Sequence, residues 1–594
     1  MVETAKAKFN PQRGVLIFFN AYEIKDLLKK YGFQYNSLQR TWERKITEDD
    51  EEFVRKLSFH FSFEPELQEV IFNYLNDLKR QKLHSELEIP VPDGFQYYDF
   101  QKAFVEFADK KKYVLLADEM GLGKTVQAAA YINYKQPKYI LVVCPAFLKW
   151  NWYKELQIWL VNEKLKRNTF ILDTKKLLSF LSLLESESLA GLIGIINYDI
   201  LQNFVEEMEK RDFNFVFDLI IWDESHYIKN LKAKRTKAAF RLLGTREIFM
   251  TGTPILNRPD EVFSFLVKAG IYSKSVKDYW RFAYKYCEVE ENRFGKKIVG
   301  VKDIKGLRRL LSSFMIRRTK KEVLNQLPEK QRILVRFNPE SLVKYLELET
   351  ELFEMRERGL LRVSQSEQEE KIQEMRRNDR FKELSFEEWL TEYKKQCSEF
   401  FDGSFHYDGS TLAKLRHLIG LEKVKFAVDF VKNILESEDK VVIMCWHNDV
   451  AWYIKEELNK AGIKTLILYG LQNPEERQRV VEEFQKNPEV KAVSCTIKSA
   501  GVGLTLIAAS TMVFVEQSYV PADILQAEDR IHRIGQEKGV KIYHLVFSSS
   551  VDERVVETLN TKINMINQIV DNREMEQFFD KEIGGKPSSL GAAR

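Results

Sequence analysis

Cysteine is scarce in this 594-residue chain. Cys144, Cys287, Cys397, Cys445 and Cys495 are odd in number, far apart and never in a C-x-x-C. That excludes a disulfide framework and points to a reducing, intracellular setting: cytoplasm or nucleoid if prokaryotic or phage, nucleus if eukaryotic. The eight histidines are just as scattered, which excludes a zinc finger or ribbon. No apolar run approaches the roughly 18 residues of a membrane helix, and the N-terminus has no basic-then-apolar leader. Charge of one sign is missing too. With 92 basic and 88 acidic residues the net charge is +4, so whole-chain charge announces no polyanion, although a basic groove remains open to uneven distribution. No short repeat period exists. What is present is 44% hydrophobic and 30% charged, enough for a sizeable core in several domains.

Residues 1–88 read as a small α+β unit. "GVLIFFN" is a strand, Asn20 with Glu23 fits a capping box before a helical "AYEIKDLLKKYGF", and "RTWERKI" alternates like an edge strand. Helices are expected near 48–59 and 64–82, and "EIPVPDG" is a natural linker. Short β-branched runs then alternate with helical stretches: "KYVLLAD", "KYILVVCP", "GLIGIIN", "FDLIIWDE" and "EIFMTGTP". The pattern returns with "KVVIMCW", "KTLILYG", "VKAVSCTI", "TMVFVEQ" and "VKIYHLVF". Such runs are strands buried on both faces, so two α/β lobes are expected, 92–330 and 422–570, the second ending in a brace helix. Between them, 331–421 reads as a linker with a charged, solvated helical insertion, and 571–594 as a flexible tail.

"ADEMGLGKT" follows a buried strand and opens a helix, the context of a phosphate loop. Gly121 and Gly123 allow close backbone approach, Lys124 reaches the β- and γ-phosphates, and Thr125 holds magnesium. The generic pattern wants glycine where Asp118 stands. "FDLIIWDESH" puts Asp223 at a strand tip to bind the metal and Glu224 beside it to orient water. In "QAEDRIHRIGQ", Arg530 and Arg533 share one face if helical and can meet the γ-phosphate when the lobes close.

Taken in order, these motifs resemble the SWI/SNF-type double-stranded DNA translocases of helicase superfamily two, over residues 95–570. "YYDFQKAFVEF", "VVCPAFLKWNW", "IINYDIL", "MTGTPILNRPDEVFSFL", "FMIRRTKKEVLNQLPEKQR" and "SAGVGLTLIAAS" complete the series. "DESH", "RIHRIGQ" and "FLKWNW" are most similar to the annealing-helicase branch, and residues 1–88 are similar to its small fork-recognition module. The absence of chromatin-reading modules fits a prokaryotic or phage member. The resemblance implies two RecA-like doubly wound parallel-sheet lobes that hydrolyse ATP with magnesium as a monomeric motor. Gln101 would read adenine, and Gly503 would join Gly121, Gly123, Lys124 and Thr125 in the nucleotide site. His226, Thr251, Gly252 and Thr253 would couple phosphate status to DNA, and Ser499, Gly501 and Thr505 would contact its phosphates. The partner would be duplex, forked or branched DNA, with replication or repair proteins. An RNA-dependent helicase and a motor that strips a protein partner from DNA stand as alternatives.

Overall fold

The computed structural model describes residues 6–47, 50–61, 63–186, 189, 191–255, 258–292, 295–324, 326–337, 382–398, 409–470, 472–500, 504–548, 550–570 and 578–584. The first unit is an antiparallel sheet of β1 (Lys6–Asn10), β2 (Val15–Phe19), β3 (Gln34–Asn36) and β4 (Thr41–Lys45), in the order β1-β2-β4-β3. Helices Glu51–Phe61 and Pro65–Leu83 cover it. Leu16, Phe18, Trp42, Leu57 and Ile71 form its core, which is separate from the cores of the lobes. Two expectations fail here. "RTWERKI" is not an edge: the short polar β3 pairs outside β4, which frees Trp42 to point into the core. Asn20 does not cap a helix. Its φ is +53°, a turn conformation, and the helix starts only at Lys25 with no side-chain cap.

The next sheet holds β5 (Tyr113–Leu116), β6 (Tyr139–Cys144), β7 (Thr169–Ile171), β8 (Leu192–Asn197), β9 (Val216–Trp222) and β10 (Leu243–Met250). A hairpin, β11 (Cys287–Asn292) and β12 (Gly295–Val301), projects separately, and β13 (Met315–Ile316) returns to the sheet. The order is β13-β5-β10-β9-β6-β8-β7 with every pairing parallel. Alternation explains the continuous apolar runs. Tyr139, Leu141 and Val143 of β6 enter the core on one face, while Ile140, Val142 and Cys144 enter the core on the other. β5 connects to β6, but β10 and β9 lie between them. Such a reversal opens a crevice at the carboxyl ends of the strands.

The second lobe is also a parallel seven-stranded sheet. It contains β14 (Lys330–Phe337), β15 (Val441–Cys445), β16 (Thr465–Leu468), β17 (Ala492–Thr496), β18 (Thr511–Phe514), β19 (Val540–Phe547) and β20 (Lys581–Gly584), ordered β16-β17-β15-β18-β19-β14-β20. Thus the segment read as linker supplies β14, and the segment read as tail supplies β20, which pairs with β14. Residues 571–577 and 585–594 of the tail lie outside the described residues, as does most of the charged insertion. Its described helix, Phe386–Ser398, is not solvated all round. Phe386, Trp389, Leu390, Tyr393 and Cys397 are buried in the second lobe's core, and Trp389 Nε1 donates to Asp449 Oδ2 at 2.9 Å. All five cysteines are buried and free, and no described helix is long and apolar enough to cross a membrane.

Candidate active site

β5, β10 and β9 are neighbours, so three motifs emerge side by side at one edge of the sheet. The loop after β5 carries Gly121 at φ +82° and Gly123 at φ +72°, and the helix Lys124–Lys135 starts directly behind them. Left-handed backbone is strained for any L-residue with a Cβ, and space forbids one as well. A Cβ at Gly123 would lie 2.8 Å from Gln101 Nε2. Gln101 itself is buried. Its Oε1 accepts from Tyr98 N at 3.1 Å and its Nε2 reaches Leu122 O at 3.5 Å, so its amide braces the loop. Lys124 Nζ donates to the carbonyls of Asp118 (2.9 Å) and Glu119 (3.3 Å), curling back over the cradle. Burial lowers the Lys124 pKa, opposed by Glu224 and Asp118. Thr125 is the second residue of the helix and half-buried.

Asp118 is fully buried and held by an arginine from the far end of the lobe. Arg318 Nε donates to Asp118 Oδ1 (2.9 Å), Arg318 Nη2 to Oδ2 (2.5 Å) and the Arg318 backbone N–H to Oδ1 (3.0 Å). Gln127 of the following helix adds a bond to Oδ2 at 2.9 Å. Glu119 accepts from Lys320 N at 2.7 Å. Burial raises the Glu119 pKa, but Lys320, Lys330 and Arg317 outweigh it and leave the carboxyl below its ordinary value.

At the tip of β9, Asp223 Oδ2 accepts from Trp152 Nε1 at 2.7 Å, and Tyr198 donates its hydroxyl proton to the Asp223 carbonyl at 2.7 Å. Burial, then the neighbouring Glu224, pushes the Asp223 carboxyl up to about 7. Glu224 sits at φ +47°, a strained conformation for a non-glycine residue. Burial works against its charge too, but His226, Lys124 and Arg530 offset this and keep it below its usual value. His226 Nδ1 lies 3.3 Å from Glu224 Oε2, outside hydrogen-bonding geometry.

After β10, Thr251 Oγ1 accepts from Thr253 N at 3.1 Å, and the Thr253 hydroxyl is buried with no hydrogen-bond partner among the described residues. Gly252 packs on the phosphate loop: a Cβ there would lie 2.4 Å from Met120 Cγ and 3.4 Å from Lys124 Nζ. Arg317 Nη1 donates to both Gly252 O (2.9 Å) and Ala117 O (2.7 Å), tying the two loops together.

The second lobe meets this edge through the turn at 529–536. Its arginines do not share a helix face, because the helix Pro521–Glu528 has already ended. Tertiary contacts win there over helical spacing. Glu528 is clamped by Arg332 and Lys330 at 2.8 Å, Asp529 Oδ1 takes Lys320 Nζ at 2.5 Å, and His532 Nε2 meets Pro328 O at 2.9 Å. Both arginines still converge, on the Leu504 carbonyl. Burial lowers the Arg530 pKa to about 10, with Arg533 adding to the effect. A Cβ on Gly121 would lie 3.1 Å from Arg533 Cβ, so the arginine turn already leans on the phosphate loop.

The expected DNA-contacting hydroxyls face inward in this structure. Ser499 is buried and donates to Leu468 O at 2.9 Å, and Thr505 Oγ1 accepts from Arg533 at 2.9 Å. Gly501 and Gly503 lie outside the described residues. Sequence reasoning placed "FMIRRTKKEV" only as one string in the family series. It missed that Arg317, Arg318 and Lys320 hold three loops of the site, and it missed Trp152 on Asp223. The available signal was four cations in five residues, "RRTKK", leaving a buried strand, where a buried cation needs an anion.

The SNF2-related domain matches residues 36–399, more than half of the chain, and the helicase conserved C-terminal domain matches 422–535. The Xenopus tropicalis SWI/SNF-related matrix-associated actin-dependent regulator of chromatin subfamily A-like protein 1 is 30% identical over 483 residues, covering 80% of this chain and 45% of that protein. The Mus musculus DNA annealing helicase and endonuclease ZRANB3 is 28% identical over 485 residues, covering 80% and 41%. The chain thus spans less than half the length of these two relatives. Among solved structures, the Sulfolobus solfataricus SWI2/SNF2 ATPase core in complex with dsDNA aligns at 22% identity and TM-score 0.36, covering 83% of this chain and 96% of that one. The chain belongs to the SNF2-related ATPase family and carries the helicase conserved C-terminal domain in its second lobe.

Proposed function

We propose that this chain is a DNA-stimulated ATP hydrolase that moves along duplex or branched DNA and there remodels forks or anneals strands. The observation that carries the reading is the apposition of Lys124, Asp223 and Glu224 on one lobe with Arg530 and Arg533 on the other, close enough for Glu224 and Arg530 to shift each other's pKa. The annealing role is supported by the likeness to the murine DNA annealing helicase and endonuclease ZRANB3.

ATP phosphates would lie on the backbone N–H groups of Gly121 to Thr125, with Lys124 leaving the loop carbonyls for the β- and γ-phosphates. The residues also fit magnesium. Asp223 and Glu224 are adjacent carboxylates at a buried strand end, Asp223 is raised by burial and by its neighbour, and Thr253 Oγ1 is an orphaned buried oxygen. Thr125 and Asp223 would hold the ion, which when bound neutralises charge on the β- and γ-phosphates. Glu224 would orient the attacking water, and Arg530 and Arg533 would stabilise charge growing on the γ-phosphate. His226, Thr251, Gly252 and Thr253 would relay phosphate status, because Gly252 rests on Met120 and Lys124. The Ser499 hydroxyl is already committed as a donor, whereas Thr505 only accepts from Arg533, so DNA phosphates at that edge would be met by backbone N–H groups and the Thr505 O–H, which carry no sequence information.

The test is phosphate release over single-stranded, duplex, forked and RNA substrates. Duplex or forked DNA should stimulate most, and Lys124→Ala should abolish turnover while sparing DNA binding. Turnover indifferent to DNA would sink the proposal.

A further inference from the structure

Arg318 does more than neutralise Asp118. It is 1% exposed in its side chain, and its guanidinium bridges four elements. Nε and Nη2 grip Asp118 of the phosphate loop, and Nη2 also reaches Gln127 Oε1 of the next helix at 2.7 Å. Nη1 donates to Phe100 O, at the start of the helix Asp99–Asp109 that carries Gln101. Nη1 also donates to Lys82 O at 3.1 Å. Lys82 lies in the last turn of Pro65–Leu83, the final helix of the N-terminal unit. Its carbonyl is among the last four of a helix, which have no partner within the helix.

The N-terminal unit has its own core, distinct from those of the lobes. A buried guanidinium with acceptors in both units ties them together. We infer that Arg318 is a positioning residue that makes the geometry of the phosphate loop conditional on docking of the N-terminal unit, so that nucleotide affinity reports on that unit's position. If the helix end withdraws, Arg318 loses one of its acceptors and the grip on Asp118 loosens, which displaces the loop amides. Reciprocally, nucleotide on the loop tightens the helix end. This inference rests on the nucleotide-site assignment above.

The test uses the full chain and two variants. Arg318→Lys keeps the charge but cannot span the four elements. Leu83→Pro leaves the loop untouched, but the residue before a proline is pushed out of helical geometry, which moves the Lys82 carbonyl. Steady-state hydrolysis on duplex DNA should show KM for ATP raised at least fivefold in both, with kcat within about twofold for Leu83→Pro. Hydrogen exchange with a non-hydrolysable ATP analogue should show protection of 118–127 and of 78–83 in the native chain, and of 118–127 alone in both variants. Protection of 118–127 without any at 78–83, with unchanged KM in Leu83→Pro, would overturn the coupling while leaving the site intact. No protection at 118–127 would overturn the site assignment and this inference with it.

Discussion

Replacing Asp118 by glycine would restore the generic phosphate-loop pattern, and it is expected to damage the protein. The substitution removes a carboxylate that is 0% exposed and paired to a guanidinium that is 1% exposed. Breaking a buried pair from one side costs about 3–5 kcal/mol, because the surviving charge is left without a counterion. Arg318 would keep neutral acceptors at Gln127 Oε1, Lys82 O and Phe100 O, so the low end, about 3 kcal/mol, applies. For a lobe of this size, each kcal/mol moves the melting temperature by roughly 2–4 °C, so the first-lobe transition should fall by about 6–12 °C in calorimetry. Arg318→Met should cost at least as much, because Asp118 is then left with one side-chain donor, Gln127. The double variant carries neither charge. It should therefore lose less than the sum of the two, with a coupling above about 2 kcal/mol. If the losses add to within about 0.5 kcal/mol, Asp118 and Arg318 are not an energetic pair, and the reading of the loop is wrong.

Three further outcomes follow from the same geometry. Gly252→Ala must displace Met120, whose Cγ lies 2.4 Å from the new Cβ, so hydrolysis should drop at least tenfold while duplex binding, measured by fluorescence anisotropy, holds. The Asp223 pKa is raised to about 7 in the folded chain from 3.8, so between these values the folded state binds the extra proton and stability falls as pH rises, the loss being complete above about 7. Protons should likewise compete with magnesium below about pH 7, and Trp152→Phe, which removes the hydrogen bond that lowers this pKa, should move the midpoint of magnesium-dependent turnover upward. Lys320→Met cuts the bonds from Nζ to Asp529 and His532 O, so the distance distribution between dyes on the two lobes should broaden without nucleotide.

The parts of this fold legible in the sequence are those decided locally. A strand such as "YILVVC" is buried on both faces and reads as an unbroken apolar run, and the glycines of "GLGKT" announce positive φ by their identity. What stayed illegible was decided by partners far along the chain. "RTWERKI" is an exception to that distance: it alternates as an edge strand should, and "QYN" just upstream, too short and polar to read as a strand, makes it interior. Three-residue spacing put Arg530 and Arg533 on one helix face. The helix instead stops at Glu528, where buried ion pairs with Lys330 and Arg332 hold the chain, and the two arginines reach one carbonyl from a turn. The same holds for Asp118. A motif pattern registers a missing glycine, whereas the structure shows a carboxylate whose partner, Arg318, is 200 residues away in sequence but follows the strand that pairs with β5. Local pattern thus locates the candidate catalytic groups, and buried charge pairs between distant segments fix how those groups face one another. If the lobes part and rejoin, as the proposed motor requires, the ion pair that runs between them, Lys320 with Asp529, is broken and remade in each cycle and so bears on the energy of closure.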